Sequence, residues 1–279
     1  MGEIKMKQTI KKILAGTTVL LAGLIVAGCG KQAAAKNTTT VKVGIMSSDE
    51  DIWKPIAAKL KKQNINLELK EFSDYNTPNK ALTDHQIDLN AFQHYNFLNS
   101  WNKAHKTNIV VVGQTYIAPL NLYSTKINSL KAIKKGDEIT VPNDATNEGR
   151  ALNVLEEAKL ITLKKNVALP TVKDIVKNPK HLKITELESD QTARSLSDAT
   201  AAIVTNDVSA NAGLKLDDAI YQETVNERSK QWINIIAANK KDQNNKAYKK
   251  VVKAYQTAAT AKAIVKVYKG TAEPVWTNK

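Results

Sequence analysis

Apolar and polar residues alternate through VKVGIM, residues 41–46, and the period of two predicts a first strand. In IWKPIAAKLKKQ, which follows, Ile52, Ile56 and Leu60 fall on one face at helical spacing. Pro55 stands near the first turn, where a missing N–H is tolerated. INLELKEF, residues 65–72, alternates again, so the chain opens strand–helix–strand. Helical spacing recurs near residues 79–85 and 96–106, with short strands near 87–91 and 109–112. After TYIAPLNLYS (115–124) the pattern restarts with a strand near 139–141, a helix from Ala145 capped by Asn143 or Asp144, then LKITELE (182–188). DATAAIVTND (198–207) reads as a buried apolar strand ended by a polar turn, and QWINIIAAN (231–239) as another strand. Amphipathic helices near 242–258 and 261–268 close the chain. Such alternation predicts an α/β fold with parallel, helix-flanked sheets. The restart fits two α/β lobes, with the chain crossing between them near 115–124 and back near 226–234. A ligand would sit in the cleft, at the ends of strands and helices.

The amino-terminal residues set the compartment. Lys5, Lys7, Lys11 and Lys12 precede an apolar run over residues 13–27, short for a membrane span and flanked like a secretory signal. The only cysteine, Cys29, follows Ala27 and Gly28 and resembles the lipobox of bacterial lipoproteins, where the thiol is acylated. A lone cysteine offers no disulfide and no cysteine-rich metal site. GKQAAAKNTTT (30–40) is small and polar, a flexible tether whose eleven residues reach roughly 36–40 Å when stretched. One acyl chain holds weakly and several hold firmly. The expected organisation is a signal peptide (1–28), a lipid-anchored tether (29–40), a first lobe (41–120 with 232–279) and a second lobe (121–231). The mature protein is expected on the extracytoplasmic face of a bacterial cell membrane.

Net charge is +14, and about +11 once residues 1–28, with four lysines and one glutamate, are removed. Its lysines are scattered in pairs such as Lys61-Lys62 and Lys249-Lys250, without the aromatic interleaving of a nucleic-acid groove, so no nucleic-acid partner is expected. An anionic cell surface is the better match. Arginine is scarce: Arg150, Arg194 and Arg228 are the whole set.

Catalytic motifs are missing: there is no G-x-S-x-G, G-x-G-x-x-G, P-loop or H-E-x-x-H, and the four histidines lack metal-ligand spacing. The expectation is a binding protein, not an enzyme, with no cofactor and no metal. What remains is a set of polar and aromatic residues near strand ends: Tyr75, Phe92, His94, Phe97, Asn147, Arg150, Asn206 and Asn234. Arg150 stands near the amino end of its helix, where a cation gains nothing from the dipole but an arriving carboxylate gains from both. Its neighbour Glu148 is expected to be turned elsewhere and simply to complement that dipole.

The blocks FSDYNTPNKAL, DLNAFQHYNFL, VPNDATNEGRAL, LPTVKDIVKNPKHLKITELESDQTARSL and the closing PVW resemble the MetQ/NlpA family, in order and with close spacing from about Val41 to Trp276. These are lipoprotein substrate-binding subunits of methionine-type ABC importers. The resemblance implies a type II-like, two-lobe periplasmic-binding fold that closes on an amino acid, most simply methionine. It implies delivery to an ABC permease and its ATPase subunit. It also implies that Arg150 binds the ligand carboxylate and that Asn147, His94, Asn206 and Asn234 add polar contacts. Tyr75, Phe92 and Phe97 would line the side-chain pocket, Phe97 where the family can carry a tyrosine. The chemistry fits, since a guanidinium grips a carboxylate with two parallel bonds and a thioether gains about 0.3–1.5 kcal/mol per aromatic contact. Where many relatives carry a Gly/Pro-rich turn, this chain has MSSDEDIW, whose Asp49, Glu50, Asp51 and Trp53 are expected to alter the cleft rim or narrow the pocket. Another amino acid, a short methionine-containing peptide or, in a different class, a surface adhesin role are the alternatives. No residue is assigned to the ligand ammonium.

Overall fold

The computed structural model describes residues 38–277. Its first lobe opens with β1 (Thr39–Met46), α1 (Glu50–Lys61), β2 (Ile65–Phe72), α2 (Thr77–Thr83), β3 (Leu89–Ala91), α3 (Tyr95–His105) and β4 (Ile109–Gln114). After β5 (Tyr116–Ile117) the second lobe holds β6 (Asn121–Tyr123), β7 (Glu138–Pro142), α4 (Ala145–Glu157), β8 (Thr162–Leu163) and β9 (Ile175–Lys177). It continues with β10 (Lys183–Leu187), α5 (Ser189–Thr192), β11 (Ala201–Val204), α6 (Asn206–Asn211) and β12 (Ala219–Gln222). The chain returns through β13 (Ile235–Asn239), α7 (Lys246–Tyr255), α8 (Ala258–Val267) and β14 (Glu273–Pro274).

Each lobe is built on a five-stranded sheet, ordered β2-β1-β3-β13-β4 in the first and β10-β7-β11-β6-β12 in the second. Strand β1 pairs in parallel with β2 and β3, as β7 does with β10 and β11. The strand delivered by a crossing, β6 in one sheet and β13 in the other, runs antiparallel to both neighbours because it enters from the opposite end. Residues 115–120 make one crossing and 223–234 the other. They are laced together where Thr115 N–H donates to the Asn234 carbonyl and Asn234 N–H to that of Tyr116, both at 2.8 Å.

Burial explains the elements. Val41, Val43 and Ile45 of β1 pack against Ile52, Trp53, Ile56 and Leu60 of α1, with Tyr255 of α7 and Ile264 of α8 closing that face. Leu82 of α2, Leu98 of α3 and Ile235 cover the other face. In the second lobe Ile139, Val141 and Ile203 meet Leu152 and Leu155 of α4. Each such side chain contributes about 1.5–3 kcal/mol by leaving water.

Several local expectations change. Strand β1 starts at Thr39, and Thr39 and Thr40, assigned above to the tether, pair with Ile65 and Asn66. The signal segment, Cys29 and the tether through residue 37 lie outside the described residues. Helix α1 starts at Glu50, so Pro55 falls in its second turn, on the exposed face, where it deprives the Asp51 carbonyl of its helical donor. Trp53 is fully buried against Tyr255, ring centroids 4.8 Å apart, and belongs to the core, not to a cleft rim. Gln231 and Trp232 lie in a 3-10 turn, Glu227–Trp232, ahead of the strand at Ile235. Among the described residues no helix is long and apolar enough to cross a membrane.

Helix α4 is capped by Asp144, whose Oδ1 accepts from Asn147 N–H at 3.0 Å. Its first turns are buried all round, including Thr146, Asn147, Glu148, Gly149 and Arg150. Glu148 therefore does more than complement the dipole. Its carboxylate accepts from Val172 N–H at 3.0 Å. Burial, with Glu186 beside it, pushes its pKa up to about 7. A Cβ on Gly149 would stand 3.2 Å from both Leu169 Cα and Pro170 Cδ. Gly149→Ala is thus expected to lower stability by about 1–3 kcal/mol in denaturant unfolding. A helix-interior glycine free of such contact would instead gain about 1 kcal/mol from the change. A stabilised variant would show that the 169–170 segment yields.

Candidate functional site

The turn between β3 and α3, carrying Phe92, Gln93 and His94, rests on a buried cluster of amides. Asn79 donates to Gln93 Oε1 at 2.8 Å, while Gln93 Nε2 donates to Asn79 Oδ1 at 2.7 Å and to Asn90 Oδ1 at 3.0 Å. Asn90 Nδ2 donates to Asn79 Oδ1 at 2.9 Å. A buried network satisfied in this way rigidifies what it holds. Above it His94 caps α3, its Nδ1 accepting from Phe97 N–H at 3.0 Å. In the neutral ring the proton therefore sits on Nε2, which donates to Asn147 Oδ1 across 3.3 Å. Burial, and then the charge of Arg150, push the His94 pKa down to about 3.

Aromatic rings form the adjoining wall. Tyr75, Phe92 and Phe97 meet with centroids 6.1 Å (Tyr75–Phe92), 6.2 Å (Tyr75–Phe97) and 5.6 Å (Phe92–Phe97) apart. His94 stands edge-on to Phe97 at 6.2 Å and to Trp232 at 4.9 Å.

Arg150 projects from α4 towards both crossings. Its Nε donates to Glu223 Oε1 at 2.8 Å, and its Nη2 to Glu223 Oε2 at 2.5 Å and to the Ala118 carbonyl at 2.8 Å. Trp232 covers the guanidinium, 4.8 Å from centroid to Cζ. Three of the five guanidinium hydrogens are used in these bonds, which leaves the two on Nη1 outside them. The Nε–Nη2 edge of the guanidinium is thus taken by Glu223.

All eight candidate residues line one cavity, with about 540 Å³ of empty volume including its mouth. Asn206 opens α6, its Oδ1 accepting from Thr271 Oγ1 at 2.6 Å while its buried Nδ2 has no partner. Asn234 is half-buried and pairs through its backbone with the first crossing. Both lobes supply walls and meet side chain to side chain: His94 with Asn147, Thr271 with Asn206, and Tyr75 with Asp207 at 2.5 Å. Of the acidic turn after β1, Met46 lines the cavity, Glu50 pairs with Lys54 at the surface, and Asp49 is buried under Tyr268. Burial pushes the Asp49 pKa up to about 7.

Sequence patterns missed Gln93, Thr205 and Asp207, which also line the cavity, and Glu223, which orients Arg150. The one available signal was for Asp207, an acid directly after a candidate asparagine at a strand end. Among the described residues no group of three or more His, Cys, Asp or Glu is placed to hold a metal ion.

The model of the NlpA lipoprotein family covers residues 41–276. The D-methionine-binding lipoprotein MetQ of Salmonella typhimurium is 38% identical over 268 residues, 95% of this chain and 98% of that protein. The substrate-binding protein of a methionine transporter from Streptococcus pneumoniae superposes with a TM-score of 0.81 at 46% identity, covering 85% of this chain and 96% of that one. A nutrient-binding protein from Burkholderia cenocepacia, solved bound to methionine, gives a TM-score of 0.81 at 38% identity over 84% of this chain and 99% of the other. These similarities extend over both sheets and both crossings: the fold is the two-lobe fold of substrate-binding proteins, and the chain belongs to the NlpA lipoprotein family.

Proposed function

We propose that this protein captures methionine outside the cell and delivers it to an ABC permease and its ATPase subunit, held to the membrane through an acylated Cys29. The observation that carries this reading is the composition of the cavity between the lobes that Arg150 and the three aromatic rings line. It combines a fixed cation, neutral amides and a three-ring aromatic box, which suit a carboxylate, hydrogen-bonding groups and a thioether in one molecule. The methionine named in the relatives and the lipobox-like Ala27-Gly28-Cys29 support it independently.

In this mechanism the ligand carboxylate meets Arg150 end-on through Nη1, with Asn147 and Asn206 as neighbouring donors. The thioether lies among Tyr75, Phe92 and Phe97, and His94 and Asn234 complete the polar wall. The lobes swing about the crossings at 115–120 and 223–234. A ligand touching both lobes shifts the equilibrium to the closed form by as much as it binds that form more tightly. Binding and release suffice, and no bond in the ligand is broken.

Calorimetric titration with methionine is expected to give one site per chain. In thermal or denaturant unfolding, methionine at a hundred times its dissociation constant should stabilise the protein by about 2.7 kcal/mol. No shift with methionine, and none across the other amino acids, would remove the transport reading. Arg150→Lys keeps the charge but cannot hold Glu223, Ala118 and a ligand at once, and is expected to weaken methionine binding by more than about tenfold. Unchanged affinity would detach Arg150 from the ligand.

His94 gives a pH prediction. Its folded pKa, about 3, lies below the ordinary 6.5, so the unfolded chain binds the extra proton between those values. The stability it contributes is therefore complete above pH 6.5 and is lost as pH falls towards 3. Nitrogen NMR of the ring should show one neutral Nε2–H tautomer throughout pH 5–8, and titration near 6.5 would contradict the buried geometry.

A further inference from the structure

One carboxylate in the cavity has a use that the ion pairs of the protein do not supply. Asp207 is the second residue of α6, 9% exposed, and the only acidic side chain among those lining the cavity. Its Oδ1 receives the Tyr75 phenol at 2.5 Å, and the same phenol oxygen lies 2.8 Å from Thr205 Oγ1. Its Oδ2 is buried with no hydrogen-bond partner. Among the described residues no lysine or arginine forms a salt bridge with it, and the guanidinium of the cavity is committed to Glu223. The other acid near it, Asp49, repels it, and burial raises its pKa. A carboxylate oxygen taken from water without a partner is costly and calls for a donor, best a charged one. The adjacent Asn206 offers the complement, a buried Nδ2 donor with no partner of its own. An orphan acceptor and an orphan donor on consecutive residues match the two charged groups that an α-amino acid carries on one carbon.

We infer that the Asp207 carboxylate receives the ligand ammonium through Oδ2, with Tyr75 holding the carboxylate in place from the other oxygen. This rests on the amino-acid reading of the cavity and adds the contact that reading lacks. The cavity would then read the head group by charge at both ends, and a ligand without a cationic amine would be rejected even with the right side chain. None of the other cavity-lining side chains is a carboxylate, so no other lining residue offers an anionic acceptor.

The test is calorimetry at neutral pH on the wild type and Asp207→Asn, each titrated with methionine and with 4-(methylthio)butanoate, which keeps the side chain and carboxylate but has no amine. Asparagine keeps the shape and an acceptor for Tyr75. Expected results are a methionine affinity roughly 10–150-fold lower in the variant, the scale of a lost charge-assisted bond. The deaminated analogue should bind the wild type far more weakly than methionine and bind both proteins alike. The ligand-free variant should melt at or above the wild-type midpoint, since it sheds an unpaired buried charge. Equal methionine affinity in both proteins overturns the assignment. An equal loss for both ligands, or a lowered ligand-free midpoint, makes Asp207 a support for Tyr75 and also overturns it. Equal wild-type binding of methionine and its deaminated analogue overturns it without any variant. Wild-type protein that binds neither ligand removes the amino-acid reading itself.

Discussion

The ion pair between Arg150 and Glu223 is the constraint on which the site depends. Both side chains are nearly dry, 7% and 8% exposed. One bidentate contact binds α4 to the second crossing. The same guanidinium reaches the Ala118 carbonyl in the first crossing, and Glu223 also accepts from Leu120 N–H at 2.8 Å. Three separate stretches of chain thus converge on one charged contact. A buried pair is tolerable only with such complete hydrogen bonding, and removing either member would strand the other in a poor solvent. Trp232 lies over the guanidinium, His94 stands edge-on to Trp232, and Asn147 bonds His94, so the polar wall is assembled outward from that pair.

The electrostatics follow from the same burial. Arg150 helps to keep His94 uncharged, and an uncharged ring can cap α3 with one nitrogen while donating to Asn147 with the other. Deep carboxyls move the opposite way: Asp49 and Glu148 are pushed up to about 7 because water is excluded from them. The interior around the cleft therefore tolerates few net charges, and each one present is held by named partners or left facing the cavity.

Much of this was legible in the sequence, and the failures have physical reasons. Alternation located β2 because a half-buried strand must alternate, and Val41, Val43 and Ile45 marked β1 although it is buried on both faces from Val43 on; the reading drifted only at Thr39 and Thr40, whose polar side chains hide a paired backbone. The eight candidate residues were read near strand ends, six of them inside motif blocks, and they share one cavity because those strand ends meet at the cleft. Glu223 was invisible because an ion pair spanning 73 residues leaves no local pattern. Asp207 was hidden by ordinary turn chemistry, since a polar residue after a strand needs no ligand to explain it. Trp53 was misjudged because its acidic neighbours suggested solvent, whereas helical spacing turns it into the core beside Ile52 and Ile56.

The division of labour between the lobes has an evolutionary corollary. The rings Tyr75, Phe92 and Phe97 all come from the first lobe, while Asn147, Arg150, Asn206 and Asp207 come from the second. On the proposed assignment, side-chain preference and head-group recognition are carried by different halves of the gene product. Substitutions at Phe92 and Phe97 can retune the cargo without disturbing the grip on its backbone, whereas Tyr75 serves both because it also holds Asp207. A lineage of such proteins can therefore diversify its diet one lobe at a time while the other half, and the hinge between them, are inherited intact.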